Sequence, residues 1–193
     1  LIEMMAFLPD EHLVIAGDWS GKYGQEMQER IKELGLKNVT CLNNVSPEEK
    51  IWLYNNSRAF LFPSVCEGFG LPPIEAMYYG KPAFLSLLTS LPEVGGDHAF
   101  YWDDLEPKKM AEVVEKKLKE VDAHPEMTEE IRRSTDRFNW QKCADEYISY
   151  YLDILNINHD NSFSEDNDKP LVSIITVCRN ADKTLAATIE NAA

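Results

Sequence analysis

An α/β fold, built as a parallel sheet with helices on both faces, is predicted for this chain by three observations. Short apolar runs alternate with helical segments between residues 12 and 102, which is the rhythm of βαβ units. Glycines stand where two of the helical segments should stop, at Gly35 and Gly80. At 193 residues, 44% hydrophobic and 10% aromatic, the chain can bury one good core with little left for a second.

Each element follows from its residues. The first eight residues read as a helix, residues 12–17 as a short apolar strand, and residues 25–34 as the next helix, closed by Gly35. Residues 38–42 read as a strand. Residues 47–56 form a helix with Ser46 as its cap and Glu49 three positions on, the capping-box spacing. The apolar run 59–62 is the next buried strand, followed by a helix opening at Pro72 or Pro73 and running to about Tyr79. Residues 81–86 and 99–102 complete the strands. Met110, Val113, Val114, Leu118 and Val121 mark one face of a further helix, and Thr128 starts another. Trp140, Cys143, Ala144, Tyr147, Ile148, Tyr151, Leu152 and Leu155 recur at helical spacing, so a strongly amphipathic helix is expected there, packed on the core.

Composition excludes several classes. A formal charge of −14 argues against nucleic acid or an anionic membrane as partner, since both demand a basic face. It would also repel any anionic ligand at long range. The four cysteines, Cys41, Cys66, Cys143 and Cys178, form no C-x-x-C pair, so reduced thiols in a cytosolic compartment are expected rather than a disulfide framework or zinc site. Sequons at Asn38, Asn44 and Asn55 are expected by chance in an Asn-rich chain. No apolar run of 18 residues occurs.

The most informative stretch is Glu67-Gly-Phe-Gly-Leu-Pro-Pro-Ile-Glu75. It follows the strand at 59–62, and ligands of open α/β sheets bind at the carboxyl ends of strands. Gly68 and Gly70 allow close backbone approach, and the helix start offers free amides suited to phosphate. Glu75 falls about one turn, roughly 6 Å, into that helix and leans back toward its start. It can therefore face the same mouth as Glu67. Both carboxylates are acceptors for hydroxyl groups, so a ligand with a central phosphate and hydroxyl-bearing groups on either side fits, as a nucleotide sugar does. Spacing alone leaves open a plain glycine turn with a solvated glutamate on each side.

The longer runs FPSVCEGFGLPPIEAMYYGKP (62–82) and SLPEVGGDHAFYWDDLEPKKMAEVV (90–114) closely resemble the C-terminal domain of the retaining family 4 glycosyltransferases, which have the GT-B fold and an E-x7-E motif. The likeness covers residues 1 to about 155. It implies a Rossmann-like sheet, with Glu75 binding the nucleotide ribose and Glu67, the candidate catalytic residue, beside the transferred sugar. It also implies that Gly68, Phe69, Gly70 and Leu71 present amides to sugar hydroxyls and phosphate. Where the family usually has a glycine leading to the base pocket, this chain has Leu42-Asn43-Asn44-Val45; Asn43 and Val45 are the candidate base-side residues, and Gly17 borders the same cleft. The family's diphosphate-gripping Arg and Lys are expected upstream of residue 1, with a missing N-terminal domain.

Residues 156–170 turn to Asn, Asp, Ser and Glu without apolar periodicity and read as an acidic linker. Leu171-Val-Ser-Ile-Ile-Thr-Val-Cys-Arg-Asn180 then begins a strand, with a helix at 185–193. This terminal strand-helix fragment, 171–193, resembles the opening of a family 2 (GT-A) glycosyltransferase.

The expectation is thus a fragment of a retaining glycosyltransferase, inactive alone. It needs no metal or cofactor; its donor is a UDP- or GDP-sugar and its acceptor a glycan or lipid-linked glycan. The intact protein is expected to be cytoplasmic or peripheral to the inner face of a membrane. A non-catalytic nucleotide-sugar-binding or scaffold module and a sugar-nucleotide 2-epimerase are the alternatives. Gly17, Gly21 and Gly24 miss the G-x-G-x-x-G spacing of a dinucleotide site. Asp103 and Asp104 read as a solvated turn, and His12, His98, His124 and His159 share no ligand spacing.

Overall fold

The computed structural model describes residues 1–154. The expected linker at 156–170 and the strand-helix fragment at 171–193 lie outside the described residues. The chain divides into two compact units, 1–139 and 140–193.

In the first unit a 3-10 turn, Glu3–Phe7, leads into β1 (Leu13–Gly17), α1 (Lys22–Glu33), β2 (Val39–Asn43), α2 (Pro47–Asn56) and β3 (Phe60–Phe62). Then come α3 (Leu71–Tyr78), β4 (Ala83–Ser86), the short α4 (Leu91–Gly95), β5 (Phe100–Trp102), α5 (Pro107–Ala123) and α6 (Glu126–Ser134). In the second unit α7 spans Trp140–Ile154.

The α/β class is borne out, and every described strand pairing is parallel. The strands form two ribbons, β1-β2 and β3-β4-β5. In the first, Gly17 stands opposite Asn43, so β1 and β2 end side by side. Strand β4 explains the second. All four of its residues are buried, and alternate side chains go to opposite faces. Phe84 joins a core with Met4, Met5, Leu13, Trp102 and α5, whereas Ala83 and Leu85 join one with Met77 of α3, Leu91 and Ile131 of α6. Helices therefore cover both faces of β4, as its unbroken apolar run requires.

Local chemistry sets the ends. The capping box of α2 is complete: Ser46 Oγ accepts from Glu49 N–H at 3.2 Å, and Glu49 Oε2 accepts from Ser46 N–H at 2.7 Å. Helix α6 begins at Glu126 rather than Thr128, because the turn after His124-Pro125 already bonds Met127 N–H to the His124 carbonyl. The opening segment winds as a 3-10 turn rather than an α-helix, and α4 was not expected from the sequence at all. Helix α7 has no buried residue; within it Tyr147 and Tyr151 approach with ring centroids 6.2 Å apart.

Candidate functional site

Gly70 opens α3 in the left-handed region, φ +106° and ψ 57°. A side chain there would be strained, and an added Cβ would also lie 3.0 Å from Leu91 Cδ2. Pro72 and Pro73 follow in the first turn, where no amide hydrogen is missed. The motif loop before Gly70 is tied down by hydroxyls from across β4. Ser90 Oγ donates to the Phe69 carbonyl at 2.8 Å and lies 3.3 Å from that of Glu67, while Glu67 N–H donates to Thr89 Oγ1 at 3.1 Å. Ser86 Oγ donates to the Ser64 carbonyl. Ser64 Oγ in turn donates to Glu67 Oε1 at 2.7 Å, which orients the carboxylate. Thr89 pays for its place with φ +53°, and Phe69 meets Phe138 edge to face at 5.9 Å.

Glu75 is held by a different element. Lys50 Nζ donates to Oε1 at 3.0 Å and Oε2 at 3.2 Å, and Tyr54 Oη donates to Oε2 at 2.9 Å. Lys50 and Tyr54 are four apart on α2 and so share a face. Tyr54 is buried, stacked on Tyr79 at 5.8 Å and edge-on to Phe60 at 5.7 Å. Burial, then its hydrogen bond to Glu75, pushes its phenol well above the usual tyrosine range, so it stays a donor. The Lys50–Glu75 pair is partly exposed and contributes about 0.2–1 kcal/mol at most.

A cleft of about 230 Å³ opens at the carboxyl end of β2, lined by Leu42, Asn43, Val45, Glu49, Trp52 and Leu53. Asn43 is fixed there by accepting Trp19 N–H at 2.7 Å. Gly24 lets α1 approach Trp19 closely, for a Cβ at this position would lie 2.6 Å from the Trp19 backbone. Gly17 is exposed beside Asn43.

The expected residues thus fall into three groups. Asn43 and Val45 line one cleft with Gly17 adjacent; Glu67, Gly68, Phe69, Gly70 and Leu71 form the loop and helix start; Glu75 is bound to α2. Helix α2 links the first group to the third. Sequence reasoning missed Lys50, Tyr54, Trp52, Ser64, Thr89 and Ser90. The i, i+4 pair on α2 was the available signal for Lys50 and Tyr54. Among the described residues, no cluster of His, Cys, Asp and Glu suits a metal ion, and no helix is long and apolar enough to cross a membrane.

Parallel βα units with a glycine loop feeding a helix start make this a Rossmann-like α/β domain, and its fold matches that of solved glycosyltransferase structures. In solved structures the fold matches a glycosyltransferase from Rickettsia africae ESF-5, with TM-score 0.68, 19% identity, and 82% of this chain and 44% of that one covered. It likewise matches Anabaena Alr3699/HepE, solved in complex with UDP and glucose, with TM-score 0.65, 21% identity, and coverage of 77% and 44%. The chain belongs to the family described as Glycosyl transferases group 1, whose sequence profile matches residues 1–134. It is 34% identical over 113 residues to the O-antigen chain mannosyltransferase B of Escherichia coli, covering 58% of this chain and 30% of that protein. The chain therefore spans less than half the length of these relatives.

Proposed function

We propose that residues 1–155 are the nucleotide-sugar-binding part of a retaining glycosyltransferase, with 156–170 a linker and 171–193 the beginning of a second transferase unit. The observation that carries the proposal is the seating of Glu75. It is a carboxyl acceptor, aimed by a buried phenol, one turn inside a helix whose start is shaped by a left-handed glycine. A carboxylate so held suits the paired hydroxyls of a ribose, and the amides of Phe69, Gly70 and Leu71 suit phosphate or sugar oxygens.

In the intact protein a partner domain closes over the donor, and the acceptor is a glycan, in keeping with O-antigen mannosyltransferase relatives. The bond between the sugar's anomeric carbon and the diphosphate oxygen breaks as an oxocarbenium-like centre develops. The bonding pair leaves with the diphosphate, and the acceptor hydroxyl bonds to the anomeric carbon and passes its proton to the departing diphosphate oxygen. Preorganised amides stabilise the departing charge. Glu67, oriented by Ser64, assists electrostatically beside the sugar.

The test is calorimetric titration of UDP, GDP and ADP sugars into the chain and into Glu75→Ala. Weaker binding to the variant, by about tenfold for a lost charged hydrogen bond, is expected. Equal affinity in both would remove the ribose assignment.

A further inference from the structure

Ser90 stands at the N-cap of α4, where a serine ordinarily accepts an amide hydrogen from the first turn of its own helix. Ser46 does this on α2, but the Ser90 side chain makes no such bond. Its hydroxyl turns the other way, donating to the Phe69 carbonyl at 2.8 Å and lying 3.3 Å from that of Glu67. The preceding residue, Thr89, held at φ +53°, takes the Glu67 N–H at 3.1 Å. Two neighbouring hydroxyls thus hold one edge of the motif loop, at Glu67 and again two residues on at Phe69.

The other edge follows from peptide planarity. In a trans peptide the carbonyl of one residue and the N–H of the next point in opposite directions, and no described peptide bond is cis. A Glu67 carbonyl drawn toward Ser90 therefore sends the Gly68 N–H away from it, and the Phe69 carbonyl does the same for the Gly70 N–H. Space is available beside this backbone, because a Cβ added at Gly68 would meet no described atom within 4 Å.

We propose that Ser90 is a positioning residue, which aims the Gly68 and Gly70 amides at the diphosphate of the donor by gripping the carbonyls behind them. The inference rests on the donor-binding function above. Amides serve a charged oxygen best when they are oriented before it arrives. Removing the Ser90 hydroxyl frees both peptide planes to turn, and part of the binding energy of the diphosphate is then spent on re-aiming them. A ligand that has no phosphate does not depend on that aim.

The test compares uridine with UDP and guanosine with GDP, titrated by calorimetry into the 193-residue chain, Ser90→Ala and Glu75→Ala, with backbone amide resonances followed by nuclear magnetic resonance. In the parent, the diphosphate should move the Gly68 and Gly70 amide protons downfield. In Ser90→Ala the diphosphate should bind about 2- to 12-fold more weakly, the span of one ordinary hydrogen bond, with smaller glycine shifts. The matching nucleoside should bind as it does to the parent, and Ser90→Thr, which keeps the hydroxyl, should restore both readouts. The proposal is overturned if Ser90→Ala weakens nucleoside and diphosphate alike, or if it leaves diphosphate affinity unchanged. Saturating diphosphate that leaves the two glycine amides unmoved in the parent overturns it without any variant. In each of these cases, weaker nucleoside binding to Glu75→Ala would leave the donor site itself standing. Failure of both diphosphates to bind the parent would overturn both readings.

Discussion

Glu75 takes both of its side-chain partners from one face of α2, and each does different work. Lys50 supplies charge, but on a partly exposed pair that water screens. Tyr54 supplies direction, since its ring is clamped by Tyr79 and Phe60. Its raised phenol pKa has a definite consequence for stability. In the unfolded chain this phenol ionises at about pH 10, while in the folded protein it holds its proton to higher pH. Its contribution is thus fully present below about pH 10 and is lost as pH rises from there toward the folded value. Tyr54→Phe should cost about 1 kcal/mol at neutral pH, measured by urea unfolding. The gap between parent and variant should shrink as pH is raised above about 10, the difference cancelling the ionisation of the other tyrosines.

At the scale of elements, α2 is the piece on which the site depends, and its first turn rests on the reciprocal Ser46–Glu49 bonds. Ser46→Ala should lower stability by about 0.5–2 kcal/mol in a denaturant melt. It should also loosen Glu49 on the cleft rim. This capping box was legible in the sequence because it depends on residues three apart, and so were the prolines that open α3; Gly70 was read for close backbone approach and not for the left-handed φ it adopts. The ties of the motif loop were not. Ser90 reaches Phe69 across 21 positions, Thr89 reaches Glu67 across 22, and Lys50 reaches Glu75 across 25. No local periodicity encodes contacts made only when parallel strands bring their carboxyl ends together. Helix α4 was hidden for another reason: five residues, among them Pro92 and Gly95, are too few to show a helical repeat. The amphipathic pattern of α7 correctly foretold a helix, but periodicity does not say which surface an apolar face will meet.

For the molecule as a whole, the alternation along β4 was readable as an apolar run but not as two cores, because which side of a strand meets which helix is decided by distant segments such as the opening 3-10 turn and α6. The overall charge of −14 opposes any nucleotide at long range, and added salt relieves that opposition within a Debye length of about 8–10 Å. An uncharged nucleoside feels none of it. For adenosine, ionic strength acts instead through the ammonium that already occupies both oxygens of Glu75, so the arriving diol must exchange with a resident partner rather than fill a vacant acceptor. Adenosine is therefore expected to bind more tightly as salt rises from about 0.05 to about 0.5 M, as measured by calorimetry, and to lose this dependence in Lys50→Met. The resting ion pair would then act as a built-in competitor, one that sets how readily the ribose seat is given up to a guest.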